Sequence, residues 1–168
     1  TILNFDYLKN KNFVEVKYKT IFTGPIDEYY NFCFGKLKYR GQTRIETYHP
    51  DVDFIQPIGQ INNPDLNNGN HIRSLEWKHM MPKDYAKKIK GSVITKEFTI
   101  TPDNPEDYEY PFPDSSNSLL YSKYRELCEN EPNLLVCGRL GEYKYYDMDQ
   151  AIGRAFLITK KLILEHDK

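Results

Sequence analysis

Apolar and polar residues alternate along several stretches of this chain, and turn-forming residues separate the stretches. Alternation with a period of two is typical of a β-strand that buries one face. The pattern predicts strands over residues 13–22, 37–48, 53–61, 71–80 and 91–101, and a short buried strand over 134–137. No helix between the longer strands is long enough for a parallel crossover, so the sheet is expected to be antiparallel.

Helical periodicity predicts a short helix over 27–34 and longer helices over 118–129 and 147–165. The last helix is the clearest, and Asp147 and Gln150 have the spacing of an N-terminal capping pair. One stripe at steps of three and four residues carries Met148, Ala151, Ile152, Ala155, Phe156, Thr159, Leu162 and Ile163. The predicted fold class is α+β: an antiparallel sheet of about five to six strands with a few flanking helices.

Composition narrows the function classes. With 168 residues the chain can bury one hydrophobic core, and its net charge of −1 does not favour nucleic acid binding. Three cysteines without a CxxC pair indicate a reduced, cytoplasmic protein. No apolar stretch reaches the roughly 20 residues of a membrane span. The four histidines lack metal-ligand spacing, so no metal is expected, and most of the fourteen tyrosines are expected on sheet surfaces.

The most informative chemistry follows the strand predicted over 134–137. Gly138 and Gly141 bracket Arg139, and the last helix begins a few residues later. A strand that leads through a tight turn to a helix N-terminus presents free backbone N–H groups and the positive end of a helix dipole. An arginine at such a turn can bind phosphate through its planar fork. The segment therefore predicts a site for an anion or a cofactor.

The string GRLGEYKYYDMDQ at 138–150 closely resembles the C-terminal signature of the UDP-galactopyranose mutases, which are flavoenzymes. Three further segments agree with that family. TGPIDEYY at 23–30, followed by FGKLKYR at 34–40, resembles its TGPIDEYF…FGxLxYR block. HIRSLEWKH at 71–79 is similar to its TRxxEHK strand, and Tyr110-Pro111 precedes a helix as in the family. The segments stand in the family's order and cover most of the chain.

The resemblance implies that an N-terminal Rossmann portion of the same enzyme carries a GxGxxG loop for the flavin pyrophosphate. No GxGxxG occurs here, and the first residue is Thr1 rather than methionine. We therefore expect the C-terminal part of a larger flavoprotein. The implied domains are 1–24, a strand and turn on the flavin-domain side; 25–110, a substrate-binding sheet; and 111–168, a helix-strand-helix segment that completes the flavin domain.

The resemblance also assigns site residues. Those implied to bind the substrate are Arg73, Tyr110, Tyr145 and Arg40. Those implied to hold the flavin are Gly138, Arg139, Asp147 and Met148.

Sequence alone leaves structural roles open for several of these residues. Arg73 has Glu46 and Glu97 as candidate cross-strand ion-pair partners. For Arg139 the alternative is a surface ion pair with Glu142. Asp147 is a good N-cap, whatever else it binds.

The resemblance makes this chain part of an isomerase that interconverts UDP-galactopyranose and UDP-galactofuranose through covalent catalysis by reduced FAD. Galactofuranose and cell-surface polysaccharide biosynthesis would be its context. A homo-oligomer is left open, and neither nucleic acid nor membrane is expected as a partner. The isolated chain is expected to bind FAD weakly or not at all and to be inactive. Two alternatives stay open: a non-catalytic nucleotide-sugar or glycan-binding module, and a related flavin-dependent oxidoreductase that shares only the C-terminal flavin segment.

Overall fold

A computed structural model describes residues 1–112 and 114–166. The helices are α1 (Tyr7–Asn10), α2 (Ile26–Tyr29), α3 (Lys83–Ala86), α4 (Ser115–Glu129), α5 (Gly138–Gly141) and α6 (Met148–His166). The strands are β1 (Thr20–Phe22), β2 (Tyr39–His49), β3 (Gln60–Asn62), β4 (Arg73–Glu76), β5 (Ser92–Ile100), β6 (Tyr110–Pro111) and β7 (Leu134–Val136). Short 3-10 turns cover Lys11–Phe13, Leu66–Asn68, Trp77–Met80 and Pro105–Asp107.

Five of the strands form one antiparallel sheet in the order β3-β4-β5-β2-β6. Its longest pairing joins β2 to β5, from Gly41 opposite Ile100 to His49 opposite Ser92. A separate two-stranded sheet pairs β1 with β7 in parallel. The α+β class and the antiparallel sheet predicted from the alternation are therefore confirmed.

The chain divides into two compact units. The first contains Thr1–Tyr39 together with the residues from Asp103 onward, and the second contains Arg40–Pro102. The first unit holds the parallel pair and the long helices, whereas the second holds most of the antiparallel sheet.

Tyrosines build the core of the first unit. The buried cluster consists of Ile26, Leu37, Tyr39, Tyr108, Tyr124 and Tyr143. Their rings supply large apolar faces, and their hydroxyl groups need buried partners. The Tyr124 hydroxyl donates to the carbonyl oxygen of Gly35 at 2.7 Å. The Tyr143 hydroxyl donates to the carbonyl oxygen of Lys38 at 2.6 Å. These four tyrosines are core residues, whereas most of the fourteen were expected on sheet surfaces.

A buried carboxylate closes the turn after α2. Asp27 accepts hydrogen bonds from the Leu37 N–H at 2.9 Å and from the Tyr39 hydroxyl at 3.2 Å. Burial raises the pKa of Asp27, and these hydrogen bonds only partly oppose that shift. The helix predicted over 27–34 ends early because Asn31 and Phe32 adopt positive φ angles of 50° and 55°.

In the second unit, the buried Glu76 carboxylate holds an irregular loop against the sheet. It accepts hydrogen bonds from the backbone N–H groups of Ile55 and Gln56, each at 2.9 Å, and from the Ser92 hydroxyl. The strand predicted over 53–61 was therefore wrong except near its end, because side-chain acceptors rather than a neighbouring strand bind this backbone.

Two other strand predictions were too long. The strand predicted over 13–22 is limited to β1, because only the three residues of β7 pair with it. The strand predicted over 71–80 ends at Glu76 and continues as a 3-10 turn. That turn buries Lys78, whose ammonium group donates to the carbonyl oxygens of Ile89 and Gly91.

The helix predicted over 147–165 is confirmed as α6, but its apolar stripe is not covered by the described residues. None of its residues is buried, and Phe156 keeps 71% of its surface exposed. Polar contacts hold the helix instead: Arg154 bonds Glu142, and Lys19 pairs with Glu165 at 3.4 Å. No helix among residues 1–112 and 114–166 is both long and apolar enough to cross a bilayer.

Helix α4 begins three residues before its predicted start because Asp114 caps it. The Asp114 carboxylate accepts hydrogen bonds from the Asn117 N–H at 2.8 Å and from the Ser116 hydroxyl at 2.7 Å. These bonds lower the pKa of Asp114 from 3.8 to about 2. The stability that the ionised cap provides is therefore complete above 3.8 and is lost as the pH falls toward 2.

We expect Asp114→Asn to reveal this titration, because asparagine keeps the capping oxygen but carries no titratable charge. The wild-type chain should exceed the variant in free energy of unfolding by a constant amount above pH 5. That advantage should shrink as the pH falls below about 4. Urea unfolding of both chains between pH 7 and pH 3 measures it. A difference that does not change with pH would contradict the assigned role.

Candidate functional site

Three of the predicted site residues in the first unit meet at one point. Tyr110 comes from β6, Arg139 from α5, and Tyr145 from the irregular stretch before α6. The central guanidinium carbon of Arg139 lies 5.0 Å from the centroid of the Tyr110 ring and 5.3 Å from that of Tyr145. The two rings stack with their centroids 5.5 Å apart. These distances are in the range of cation–π and aromatic contacts.

Glycines place Arg139 at this point. Gly138 has φ +85°, a conformation that residues with side chains rarely adopt. A Cβ atom at Gly141 would lie 2.7 Å from a methyl group of Val136, so only glycine lets α5 approach β7 so closely. The predicted glycine turn is therefore present, but it continues as a one-turn helix that sequence did not predict.

The hydrogen bonds of Arg139 are made within its own loop. Its Nε and Nη2 atoms both donate to the carbonyl oxygen of Tyr146, with Nε at 3.2 Å. The nearby Glu142, considered as its partner, pairs with Arg154 instead. The orientation of the guanidinium plane is therefore fixed by the backbone.

The residues that open α6 extend this cluster. The Asp147 carboxylate beside the Tyr145 hydroxyl raises the pKa of that phenol. The Asp147 N–H donates to the side-chain oxygen of Gln150 at 3.1 Å, which forms half of the predicted capping pair. Met148 is exposed at the first position of the helix. The first-turn N–H groups of such a helix have no intrahelical partner and suit an anion.

Arg73 and Arg40 belong to the second unit. Arg73 stands opposite Glu97 in the β4–β5 register, and its Nε atom bonds the Glu97 carboxylate. Arg44, on the other neighbouring strand, bonds the other oxygen of Glu97 at 2.9 Å. The cross-strand ion pair considered for Arg73 thus forms with Glu97 and not with Glu46. Arg40 is exposed at the second residue of β2.

Glu97 was considered only as a candidate partner of Arg73, yet it organises both arginines. It is 2% exposed. Burial alone would raise its pKa, but the hydrogen bonds from Arg73 and Arg44 outweigh that effect and hold the pKa below its usual value. The sequence signal was a glutamate in the middle of a predicted strand, since a carboxylate that becomes buried there needs a cationic partner.

A cleft of about 650 Å³ lies on another side of the same loop, between α4 and α6. Two of its cations are already paired with carboxylates, Arg125 with Glu129 and Arg154 with Glu142. Within the described part of the chain, no three His, Cys, Asp or Glu side chains are grouped to hold a metal ion. The cluster around Arg139 is therefore the candidate site.

The fold and this cluster define a class: an α+β chain in which a parallel strand pair leads to a glycine turn and a cation lies over two phenol rings. The sequence profile of the UDP-galactopyranose mutase family matches residues 1–145. The chain therefore belongs to the UDP-galactopyranose mutase family, as the resemblance had indicated. Asp147 and Met148 lie beyond the matched residues.

Known relatives agree. The chain is 33% identical over 134 residues to a dTDP-fucopyranose mutase of Escherichia coli, an alignment that covers 80% of this chain and 34% of that protein. It is 31% identical over 137 residues to a probable UDP-galactopyranose mutase of Klebsiella pneumoniae, with coverage of 80% and 33%. With a UDP-galactopyranose mutase of Mycoplasma pneumoniae the identity is 28% over 148 residues, covering 85% and 36%. The chain thus spans about a third of the length of these relatives.

Proposed function

We propose that this chain is the C-terminal portion of a flavin-dependent mutase that interconverts the pyranose and furanose forms of a nucleotide-linked hexose. Membership of the family supports the reaction class. The single observation that carries the site is the convergence of Tyr110, Arg139 and Tyr145, which come from separate segments. A cation over two phenol rings suits the oxygens of a diphosphate, because guanidinium and phenol groups are both hydrogen-bond donors to an anion.

The resemblance assigns the substrate diphosphate to Tyr110 and Tyr145 and, within the second unit, to Arg73. Arginine suits this task because its planar fork binds two oxygens together. Charge neutralisation of this kind stabilises both the bound substrate and the departing nucleoside diphosphate. Arg40, near the start of the sheet, is proposed to add positive charge.

The residues that begin α6 fit the flavin in part. Gly138 keeps the α5 turn free of a side chain, and the first turn of α6, which follows Asp147 and begins at the exposed Met148, offers N–H donors to an anionic edge. Two donors of Arg139 are engaged by Tyr146, so Arg139 would contact the flavin only through its remaining N–H groups. When bound and reduced, FAD supplies the nucleophile of the reaction, and the protein orients the sugar and neutralises charge.

Two exposed surfaces of the first unit support a further, nucleotide-binding portion of the protein. The apolar stripe of α6, with Ile152, Phe156 and Ile163, is open. Large apolar faces of this kind normally pack against another element. The parallel pair β1–β7 has only two strands, whereas parallel sheets are almost always larger and covered on both faces. A Rossmann portion would cover the helix and extend this pair.

The identity of the sugar is open within this proposal. One relative is named for dTDP-fucopyranose and others for UDP-galactopyranose. Both compounds join a nucleoside diphosphate to a hexopyranose, and the proposed groups bind the diphosphate that they share. Turnover of each compound by the complete protein, with reduced FAD, distinguishes the two.

Arg73→Ala tests the proposal directly. In the complete protein we expect the affinity for UDP to fall about 10- to 100-fold, because a charged hydrogen-bond donor to the diphosphate is lost. Arg73→Lys should restore only part of that loss. Isothermal titration with UDP measures the affinity, and Arg44→Ala, which removes the other partner of Glu97, is the matched control. Equal affinity in wild type and Arg73→Ala would remove Arg73 from the substrate site and favour a related flavin oxidoreductase.

A further inference from the structure

We infer that Arg139 is a positioning residue: its guanidinium holds the rings of Tyr110 and Tyr145 together, so that their two hydroxyl groups are presented as one pair. The inference rests on the proposed function only for the ligand of that pair, a nucleoside diphosphate. The positioning itself is a property of this chain.

The first step is that Arg139 is fixed before any ligand binds. Two of its N–H donors share the carbonyl oxygen of Tyr146, so the guanidinium plane is locked to the backbone seven residues later. The one-turn helix α5 carries the side chain, and the positive φ of Gly138 sets the direction of that helix. A side chain held in this way loses little further freedom when its neighbours settle on it.

The second step is that little regular structure holds the two phenol rings. Tyr110 lies in a two-residue strand, and Tyr145 lies in the irregular stretch between α5 and α6. Tyr145 is 52% exposed, so burial does not enforce its stacking on Tyr110. The contact that both rings share is Arg139, at 5.0 and 5.3 Å. A guanidinium over an aromatic face is attracted by the electrons of the ring even at an exposed site.

The third step concerns charge. Asp147 contacts the Tyr145 hydroxyl and would repel a diphosphate. Arg139 brings one positive charge to the same group of side chains, so the local charge of this pair of ionised residues is balanced. Arg139 therefore offsets the repulsion between Asp147 and an anion that binds to the two phenols. A neutral residue at position 139 would remove both the ring contact and this compensation.

The experiment uses the complete protein labelled with 3-fluorotyrosine and observed by fluorine NMR. Tyr110→Phe and Tyr145→Phe identify the two resonances. In Arg139→Gln and in Arg139→Lys we expect both resonances to move toward the position of exposed tyrosine, while the buried Tyr124 and Tyr143 resonances stay. Arg139→Lys is not expected to keep the two rings together, because lysine retains the charge but lacks the flat face that stacks on a ring.

The UDP affinity of the same variants completes the test. Arg139→Gln should weaken UDP binding about tenfold, and Tyr110→Phe should add little in that background, because residues in one network are not additive. Unchanged fluorine resonances, full rescue by Arg139→Lys, or additive losses of affinity would overturn the positioning role. If the resonances move but none of the variants changes UDP binding, the positioning stands and the proposed ligand fails.

Discussion

Replacing Glu76 by alanine is expected to lower the free energy of unfolding by about 3–5 kcal/mol, because buried donors then lose their acceptor. The carboxylate is 0% exposed and binds the N–H groups of Ile55 and Gln56 through different oxygens. The Ser92 hydroxyl bonds the same group. Each buried donor left without a partner costs about 1–3 kcal/mol, and the deleted side chain leaves a cavity as well.

Glu76→Gln sharpens this expectation. Glutamine keeps the shape, but its NH₂ group would face one of the two backbone N–H donors, so about 1–3 kcal/mol should still be lost. Urea unfolding of the chain measures both variants, with the exposed Glu126→Ala on α4 as a control that should stay within about 0.5 kcal/mol. A loss at Glu76→Ala no larger than at Glu126→Ala would show that the loop over residues 53–59 does not depend on this carboxylate.

Acid should weaken the same network. Burial alone would raise the pKa of Glu76, but the hydrogen bonds from Ser92, Gln56 and Ile55 outweigh it and hold the pKa below its usual 4.5. A carboxyl whose pKa falls on folding stabilises the protein above its unfolded pKa. Its contribution is therefore complete above 4.5 and declines as the pH falls through the lowered value.

Periodicity predicted the elements that pack along their whole length. The strands over 37–48 and 91–101 were predicted almost to the residue, because they pair with each other over nine positions of β5. The final helix was predicted equally well although the described residues do not cover its stripe, because a helix needs only a local period and a start signal. Where the pattern and the pairing agree, sequence is sufficient.

The predictions were wrong where tertiary contacts replace the hydrogen bonds between neighbouring strands. The apolar residues over 53–61 alternate like a strand, yet Glu76, distant in sequence, binds that backbone. The turn after α2 depends on Asn31 and Phe32 in left-handed conformations, which side-chain type does not predict. Buried tyrosines were missed for a related reason, because their hydroxyl groups are satisfied by carbonyl oxygens that only the fold brings near.

The candidate site shows the same division. The glycine turn and its arginine were evident from local spacing, and the family resemblance was carried by local strings. The stacking of Tyr110 on Tyr145 was not, because 35 positions separate the two residues and only the placement of β6 beside α5 brings them together. The hydrogen bond from Arg139 to the carbonyl oxygen of Tyr146 likewise depends on the loop conformation.

Glu97→Gln is expected to destabilise the second unit by about 1–3 kcal/mol. The substitution keeps the shape of the side chain but leaves the guanidinium groups of Arg44 and Arg73 facing each other without the charge that joins them. Breaking a fully buried pair costs about 3–5 kcal/mol. Here Arg44 and Arg73 are 48% and 33% exposed, so solvent screens part of the repulsion and the loss is smaller.

Adding Arg44→Met to Glu97→Gln should restore part of the lost stability, because one of the two cations that the Glu97 carboxylate had held together is removed. Urea unfolding of the single and double variants gives the coupling free energy, and Glu46→Gln, an exposed glutamate on β2, controls for the change in net charge. Additive losses would mean that Glu97 holds each arginine separately. A double variant that loses less stability than the sum of the single variants means that the Glu97 carboxylate orients both arginines together. The direction in which Arg73 points then depends on Arg44, across β5, as well as on its own strand.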